Sequence, residues 1–167
     1  MKIAVLLILA SFLQPNYLLE KKRVGSIEVG SNVEDIYQYF DKDLETELVD
    51  RYLEATFSPA IVVKNNEDIL FIANLDCNII YSIEVLHYKY KTERGMRVGM
   101  TYKSLKERHN VSSILKGEGR LFAIVDDLNM SFALETTEVL NSGLDLNTNF
   151  NPDDIPNGIT ISSIIVY

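Results

Sequence analysis

The feature that most constrains the fold of this chain is a phrase that occurs twice. Residues 25–36 read GSIEVGSNVEDI, and residues 95–105 read GMRVGMTYKSL. Each predicts a short strand that ends at a Val-Gly pair, where glycine allows a sharp turn, followed by a capped amphipathic helix. When Val29–Gly30 is aligned with Val98–Gly99, apolar positions match on both sides of the turn. The repetition predicts two copies of one small unit, and it describes architecture better than chemistry.

The two predicted helices begin with recognisable caps. Ser31 and Glu34 have capping-box spacing, with Asn32 as an alternative cap, and Thr101 is the predicted cap of the second helix, which should stop near Asn110. Apolar side chains then recur at helical spacing, which predicts one buried face for each helix. The two stripes are Val33, Ile36, Tyr37 and Phe40 in the first copy and Tyr102, Leu105 and His109 in the second. His109 therefore takes the position of Phe40.

Extended segments follow each helix and decide the predicted fold class. Residues 49–57 predict a strand, although a helix also fits their spacing, and Ser58-Pro59 is expected to break it. Further strands are predicted at 60–63, 69–73 and 79–86 in the first copy and at 120–125, 130–134 and 159–167 in the second. The predicted class is α+β: two tandem strand-helix-three-strand repeats forming an antiparallel sheet with the helices packed on one face. The repeats span residues 24–92 and 93–167 of one compact domain.

Composition and charge exclude some classes of protein. The chain has 167 residues, 47% of them hydrophobic and 24% charged, which is typical of a globular domain and excludes a disordered one. Its net charge of -8 argues against a nucleic-acid partner, because phosphate binding requires clustered lysine and arginine.

The N-terminus predicts export. Met1–Leu13 has one cation followed by an apolar run that is too short to span a bilayer, as in a secretory signal peptide, which we assign to residues 1–20. No small-x-small cleavage site follows, and the basic residues 21–23 oppose translocation. The alternative is a buried strand or helix of a cytosolic protein. The prediction is a periplasmic or secreted protein with no stable membrane span, a monomer or weak dimer.

Catalytic and cofactor signatures are absent from the sequence, so no catalytic or cofactor-binding residue is assigned. His87 is expected at a solvated strand end and His109 on a half-buried helix position, although either could serve as a base beside acids. Cys77 is the only cysteine, which excludes an internal disulfide, and its acidic surroundings predict an unreactive thiol.

A loop near the C-terminus has the spacing of a calcium site. Oxygen-bearing side chains alternate at Asp145, Asn147, Asn149, Asn151 and Asp153. Calcium takes six to eight oxygen ligands, so this spacing could satisfy it. The match to an EF-hand is incomplete, because Phe150 takes the glycine position and Pro156 the position of the bidentate acid. The alternative is a solvated loop rich in turn-forming residues.

The segment between the two copies is the candidate partner-binding surface. It mixes aromatic and cationic side chains, a composition that is enriched at protein interfaces. Its candidate residues are Tyr88, Tyr90 and Arg94. The alternative is a linker of strand-end residues in water.

A strand-glycine-helix-meander unit used in tandem resembles the β-lactamase-inhibitor-protein-like domains and the related BamE-type outer-membrane assembly lipoproteins. The phrase GMRVGMT at residues 95–101 also resembles repeats in exported bacterial proteins of unknown function. The resemblance covers the topology of residues 24–167 and implies a non-enzymatic envelope protein that binds another protein. The chain lacks the disulfides of the inhibitors and the lipid-anchor cysteine of the lipoproteins.

Two functional classes follow from the sequence. The first is a non-catalytic binding module of the bacterial envelope, whose partner is another envelope or secreted protein and which would show an exposed apolar or aromatic patch. The alternative is a small enzyme, a hydrolase, which would need a concave pocket holding His87 or His109 near acids.

Overall fold

The computed structural model describes residues 17–39, 44–53, 56–117 and 119–167. Residues 1–16 of the predicted signal peptide and Phe40 of the first helical stripe lie outside these ranges. Strand β1, defined below, already includes residues 18–20, so the predicted end of the leader overlaps with a strand of the fold. None of the helices in these ranges has the length and hydrophobicity of a transmembrane span.

The elements follow one another in this order along the chain: β1 (Leu18–Glu20), β2 (Arg23–Val24), β3 (Ile27–Glu28), α1 (Val33–Tyr39), β4 (Glu45–Leu53), β5 (Thr56–Asn65), β6 (Asp68–Asp76), β7 (Ile79–Val85), β8 (Lys91–Thr92), α2 (Tyr102–Arg108), β9 (Ser113–Gly117), β10 (Arg120–Val125), β11 (Met130–Leu134), α3 (Thr136–Asn141), a 3-10 turn (Pro152–Asp154) and β12 (Ile161–Val166). An eight-stranded antiparallel sheet has the spatial order β4-β5-β6-β7-β12-β11-β10-β9. A four-stranded mixed sheet has the order β3-β2-β1-β8, with β1 and β8 parallel.

The described chain is mostly β, so the predicted α+β class with helices packed on one face of a sheet is wrong. The predicted cap of α2 is confirmed, because Thr101 accepts a hydrogen bond from the backbone N–H of Ser104. At α1 the alternative cap, Asn32, accepts from the backbone N–H of Glu34, while the Ser31 hydroxyl donates to the carbonyl of Glu28. The described helices are only six or seven residues long, about two turns each, so they form minor parts of the fold. The second, mixed sheet was not predicted, because β1 lies in the predicted signal peptide and β2 and β8 in segments with no predicted element.

The two Val-Gly phrases occupy matched positions beside the large sheet. The Gly30 N–H donates to the carbonyl of Ile80 at 2.7 Å, and the Gly99 N–H donates to the carbonyl of Ile161 at 2.9 Å. Ile80 and Ile161 each donate back to the residue after the glycine, at 3.0 and 2.8 Å. Gly30 and Gly99 have φ of +98° and +85°, a region that favours glycine. The division into two tandem repeats stays a prediction.

Matched β-bulges bring the starts of β7 and β12 to these phrases. The register shifts in the β6–β7 pair at Tyr81, which is the extra residue of β7, and in the β11–β12 pair at Ser162, which is the extra residue of β12. A bulge bends its strand and increases the local twist. Ile80 and Ile161 lie outside the β7–β12 pairing, which covers only residues 83–85 and 164–166, so their other edges pair with the Val-Gly phrases.

The hydrophobic core covers one face of the large sheet. Phe132 and Ile164 are opposite each other on β11 and β12, and both are fully buried. The same buried cluster includes Ile36 of α1, Leu105 of α2 and Leu19 of β1. Helices and small sheet thus share a core with this face, and the opposite face of the large sheet is left for other contacts.

Candidate binding surfaces

The face of the large sheet opposite the core carries polar side chains that are nonetheless buried. Successive side chains of a strand alternate between faces, so these residues share the non-core face across the central strands. They are Asn74, Ser82, Glu84, Ser131 and Ser163. Buried polar groups are costly without hydrogen bonds, so the partners of these side chains define the chemistry of this face.

Glu84 of β7 lies at the centre of an ionic network. Arg51 Nη2 donates to Glu84 Oε2 at 2.8 Å, and Arg120 Nη1 donates to Oε1 at 2.8 Å. The Ser163 hydroxyl also donates to Oε1 at 2.8 Å. Arg51 continues the network to the amide oxygen of Asn74 at 2.9 Å. The carboxylate is thus bound by one arginine from each half of the sheet, on the same face.

This network requires a curved sheet. Arg51 lies on β4 and Arg120 on β10, and each of these strands is three positions from β7 in the sheet. Three strand spacings come to about 14 Å across a flat sheet. Both arginines nevertheless contact Glu84, so the two sides of the sheet bend toward each other over the polar face.

The network also sets the ionisation of Glu84. Burial by itself raises the pKa of this carboxyl, but the hydrogen bonds and charge of Arg120, with the hydrogen bonds of Arg51 and Ser163, outweigh it and hold the pKa below its usual value. Glu84 is therefore ionised at neutral pH, as its partners require.

A cleft of about 310 Å³ lies over the network. Its wall includes both arginines together with Tyr81, Phe122 and Tyr167. The Tyr167 hydroxyl lies 3.0 Å from that of Ser131, so the floor of the cleft is also hydrogen-bonded. Because both arginines form ion pairs with Glu84, the polar side chains that line the cleft are held in place by bonds to one another.

An apolar strip lies at the β4 edge of the same sheet. Leu48, Tyr52 and Phe57 are 68%, 64% and 75% exposed, and we call these three residues the β4 patch. Tyr52 and Phe57 are opposite each other in the β4–β5 pair, with ring centroids 5.1 Å apart. Leu48 is opposite Ile61, which is buried, so the patch continues the core face of the sheet beyond the core.

The opposite edge of the sheet has an apolar pocket beside the β9–β10 turn. Its volume is about 320 Å³, and four apolar side chains from β10, α3 and the following loop line it. They are Leu121, Val139, Leu140 and Leu146. Lys116 and Arg120 also line the pocket, so two cations border an apolar space.

The two histidines lie apart from the polar cleft. His87 Nδ1 accepts a hydrogen bond from the backbone N–H of Lys89 at 3.2 Å, its Nε2 lies 3.9 Å from Asp68, and its ring stacks on Tyr88. Burial, then the charge of Lys89, lowers the pKa of His87 against the opposing effect of Asp68. The described residues show no nucleophile hydrogen-bonded to this ring.

His109 is buried at the end of α2. Its Nε2 lies 3.3 Å from the hydroxyl of Thr92, and its Nδ1 has no hydrogen-bond partner among the described residues. The hydroxyl of Thr92 already accepts from the backbone N–H of Met96 at 3.0 Å. Leaving Nδ1 unpaired costs less free energy when this nitrogen carries only a lone pair than when it carries a buried N–H group. The neutral tautomer with its proton on Nε2, which donates to Thr92, is therefore favoured.

The pKa of His109 is lowered, first by burial and then by the charges of Arg94 and Arg108, with Asp127 opposing them. His109 packs against the core at the end of α2, as predicted for the last residue of the buried face of that helix. Among the described residues, the one side chain that hydrogen-bonds to this ring is that of Thr92, which is buried.

The three predicted partner-binding residues do not share one surface. Tyr88 is 58% exposed, and Arg94 is exposed and donates to the carbonyl of Arg108. Tyr90 is only 5% exposed and packs edge-on against Tyr17 and Phe71. Tyr90 is therefore a core residue, because its ring completes an aromatic cluster, and the predicted surface is reduced to Tyr88 and Arg94.

The predicted calcium loop forms turns and caps. Asp145 Oδ1 accepts from both the backbone and the side-chain nitrogen of Asn147, each at 3.0 Å. The Asn151 N–H donates to Asp154 at 2.7 Å, and Asp153 lies 3.5 Å from a lysine of α2. Within the described ranges, no group of three or more His, Cys, Asp or Glu side chains could hold a metal ion. The calcium site stays a prediction without geometric support.

Cys77 is exposed in the turn between β6 and β7, with φ of +55°. A hydrogen bond and the charge of neighbouring Asp76 raise the pKa of its thiol. This direction agrees with the prediction of an unreactive cysteine, since the thiolate is the reactive form.

Sequence reasoning missed the residues of the ionic network. One signal was available: Glu84 interrupts an otherwise apolar strand, and Ser82 precedes it by two residues, so both share a face. A charged residue inside a central strand predicts a charged partner. The identity of the partners had no local signal, because Arg51 and Arg120 are 33 and 36 residues from Glu84 in the sequence.

No protein-family model matches the chain, and no curated protein matches it. Its structure is similar to that of the uncharacterized protein yfeY from Escherichia coli, with a TM-score of 0.61. The match covers 89% of this chain and 97% of that chain, with 15% sequence identity. At this identity the likeness shows a shared fold and carries no ligand or activity across.

Proposed function

We propose that this chain is a non-catalytic protein of the bacterial envelope that binds an extended segment of another protein at strand β4. The β4 patch carries the proposal: three large apolar side chains lie exposed on one face beside the edge of the sheet. An exposed apolar patch of this kind marks an interaction site on a soluble protein.

The backbone of β4 supplies the second part of the argument. β4 is nine residues long and pairs only with β5 among the described strands. Its outer N–H and C=O groups can pair with an added strand, whose alternate side chains would contact the patch. Glu45, Glu47 and Asp50 give β4 an acidic character, which favours a segment that alternates apolar and basic residues.

Export is part of the proposal and rests on the single cation Lys2 followed by the apolar run of residues 3–13. The resemblance to inhibitor-like envelope domains stays a prediction and points the same way. A cavity of about 740 Å³ is lined by His109 together with acidic residues, as the enzyme alternative requires. Binding is favoured over it because the one hydroxyl that contacts His109 among the described residues is that of Thr92, which is only 1% exposed and already accepts a hydrogen bond from the Met96 N–H.

Photo-crosslinking in the native host tests the binding surface. A photoreactive amino acid replaces Tyr52 or Phe57 in the patch, and Tyr37 of α1, which is 55% exposed, serves as a control for random collisions. We expect both patch positions to give an adduct of the same mass, identified by mass spectrometry, and the Tyr37 position to give none.

A second variant tests the mode of binding. Leu48→Lys places a charge on the open edge, a substitution that blocks strand addition in natural sheets. We expect the adduct from position 57 to fall at least tenfold in this variant. No adduct from the patch, equal labelling at position 37, or full labelling in Leu48→Lys would contradict the proposal.

A further inference from the structure

The turn that leads into β12 contains the one asparagine of the chain that is followed by glycine. Asn157 and Gly158 are the two central residues of this turn, because the Ile159 N–H donates to the carbonyl of Pro156 at 3.3 Å. Both central residues are exposed, whereas Ile155 and Ile159 near the two ends of the turn are 2% and 4% exposed. The core thus anchors the turn, and its Asn-Gly pair faces water.

The groups of this pair that could react with each other are not engaged elsewhere. Within the part of the chain that the structure describes, neither the side-chain amide of Asn157 nor the backbone N–H of Gly158 forms a hydrogen bond. The exposed amide of Asn147, by contrast, donates to Asp145 at 3.0 Å. Glycine also has no Cβ, so its nitrogen can approach a neighbouring side chain without steric hindrance and with wide backbone freedom.

We infer that Asn157 is a site of self-modification by deamidation, which goes beyond the proposed binding function and does not depend on it. Asparagine is a thermolabile residue. The Gly158 nitrogen gives its proton to hydroxide and attacks Cγ of Asn157, and the Nδ2 group leaves as ammonia. The new N–Cγ bond closes a five-membered succinimide ring between the two residues.

Water then opens the ring at either of its two carbonyl carbons, so the net reaction consumes one water and releases one ammonia. Attack at Cγ breaks the new bond and gives aspartate with the original backbone. Attack at the backbone carbonyl carbon of residue 157 breaks the original peptide bond and gives isoaspartate. The backbone of isoaspartate passes through Cβ and Cγ and is one carbon longer.

The two products differ in their effect on helix α2, because carbonyls of this turn bind its first residues. The Tyr102 N–H donates to the carbonyl of Ile159 at 2.7 Å, and the Lys103 N–H donates to the carbonyl of Asn157 at 2.9 Å. N–H groups in the first turn of a helix have no partner within the helix, so the turn supplies two of the missing acceptors. Aspartate preserves this geometry, whereas the longer backbone of isoaspartate displaces the turn from α2.

Incubation of the full chain in water enriched in heavy oxygen, at pH 7 and pH 9, tests the inference. Peptide mass spectrometry then follows each asparagine. Heavy oxygen on residue 157 distinguishes conversion during the incubation from aspartate that was present at the start. We expect Asn157 to convert about tenfold faster than Asn141, which is exposed but precedes a serine. Conversion should be faster at pH 9, because hydroxide generates the attacking nitrogen.

Gly158→Ala is the variant that separates the chemistry from the fold. A Cβ at this glycine meets no atom within 4 Å, and the residue has no positive φ, so the turn is retained. The added Cβ hinders the nitrogen and restricts the backbone, so conversion of Asn157 should be about tenfold slower than in wild type. Circular dichroism confirms that the fold is unchanged.

Asn157→Asp isolates the effect of the aspartate product. We expect its melting temperature to lie within about 2 °C of that of fresh wild type, because the backbone is unchanged. The isoaspartate form, purified from aged wild type by chromatography, should melt about 3 to 8 °C lower, since it loses two hydrogen bonds at the start of α2.

Three results would overturn the inference. They are conversion of Asn157 no faster than that of Asn141, equal conversion in wild type and Gly158→Ala, and aspartate at position 157 that carries no heavy oxygen. The first and third comparisons use wild type alone and hold whether or not a variant folds. An isoaspartate form that melts with Asn157→Asp would overturn the assigned effect on α2.

Discussion

Glu84 is the residue on which the polar face of the large sheet depends. Substitution by glutamine removes the charge that two arginines share and leaves them facing each other. Breaking a buried ion pair in this way costs several kcal/mol, and the partial exposure of both arginines reduces the loss. We expect Glu84→Gln to lower the free energy of unfolding by about 2 to 3 kcal/mol at neutral pH, measured by urea denaturation.

Glu47 supplies the matched control. It pairs with Lys64 at 2.6 Å, but it is largely exposed, so Glu47→Gln should cost less than about 1 kcal/mol. The folded pKa of Glu84 is below its ordinary value of 4.5, so its stabilising effect is complete above that pH and is lost as the pH falls through the folded pKa. The difference between wild type and Glu84→Gln should therefore shrink in acid. A difference that stays constant down to pH 3 would contradict the network.

His109 gives a second pH-dependent prediction. Its folded pKa is below 6.5, so it stabilises the fold fully above that pH, and its contribution declines as the pH falls toward the folded pKa. His109→Phe introduces the residue that the sequence alignment places at position 40. We expect this variant to show a smaller drop in melting temperature between pH 7 and 5.5 than wild type, with the remaining drop due to His87. An unchanged drop would contradict the assignment of a neutral, buried His109.

The positions of the strands and of the helix starts were better predicted than the strand order and the division of the strands into two sheets. The segments at 60–63, 69–73, 120–125 and 130–134 are strands as expected, because runs of apolar and β-branched residues are local signals. The Pro59 break was wrong: β5 runs through this residue, and β4 lies at an edge of the sheet. β3 falls in the short strand predicted before Gly30, but the two-residue strands β2 and β8 have no periodicity to detect, so the small sheet was missed.

The Val-Gly turns and the helices that follow them are found at both predicted positions, although a strand, β3, leads only into the first turn and residues 95–98 form none. Alanine at Gly30 or Gly99 would meet no atom within 4 Å, so its cost comes from the positive φ alone. We expect Gly30→Ala and Gly99→Ala each to lower the free energy of unfolding by about 1 to 2 kcal/mol, and by equal amounts. Gly158→Ala is the control, since this glycine has the same open space without a positive φ. The loss of stability in each of the three variants is measured by thermal denaturation. If the losses in Gly30→Ala and Gly99→Ala differed from each other by more than the loss in Gly158→Ala, the two turns would not have matched geometry.

At the scale of the whole molecule, the candidate surfaces could be predicted only in part. The sequence indicated an exposed aromatic patch as the sign of a binding protein, and such a patch exists at β4, in a segment that was expected to be an ordinary strand. The pocket at the other edge joins β9, β10, α3 and a later loop, so its lining follows from tertiary packing. Both edges of one sheet thus carry apolar surface, and the polar network occupies the middle.

The pairing between β7 and β12, which we call the β7–β12 joint, has the fewest paired positions of any strand pair in the large sheet. It has three paired positions, compared with nine in the β4–β5 pair, and it connects the four strands before α2 to the four after it. Glu84 lies in this joint, where its bonds to Arg120 and Ser163 reinforce the few backbone pairs. In hydrogen-exchange terms, the joint is the natural boundary between two cooperative units. A single carboxylate would then govern how often the sheet opens along its middle.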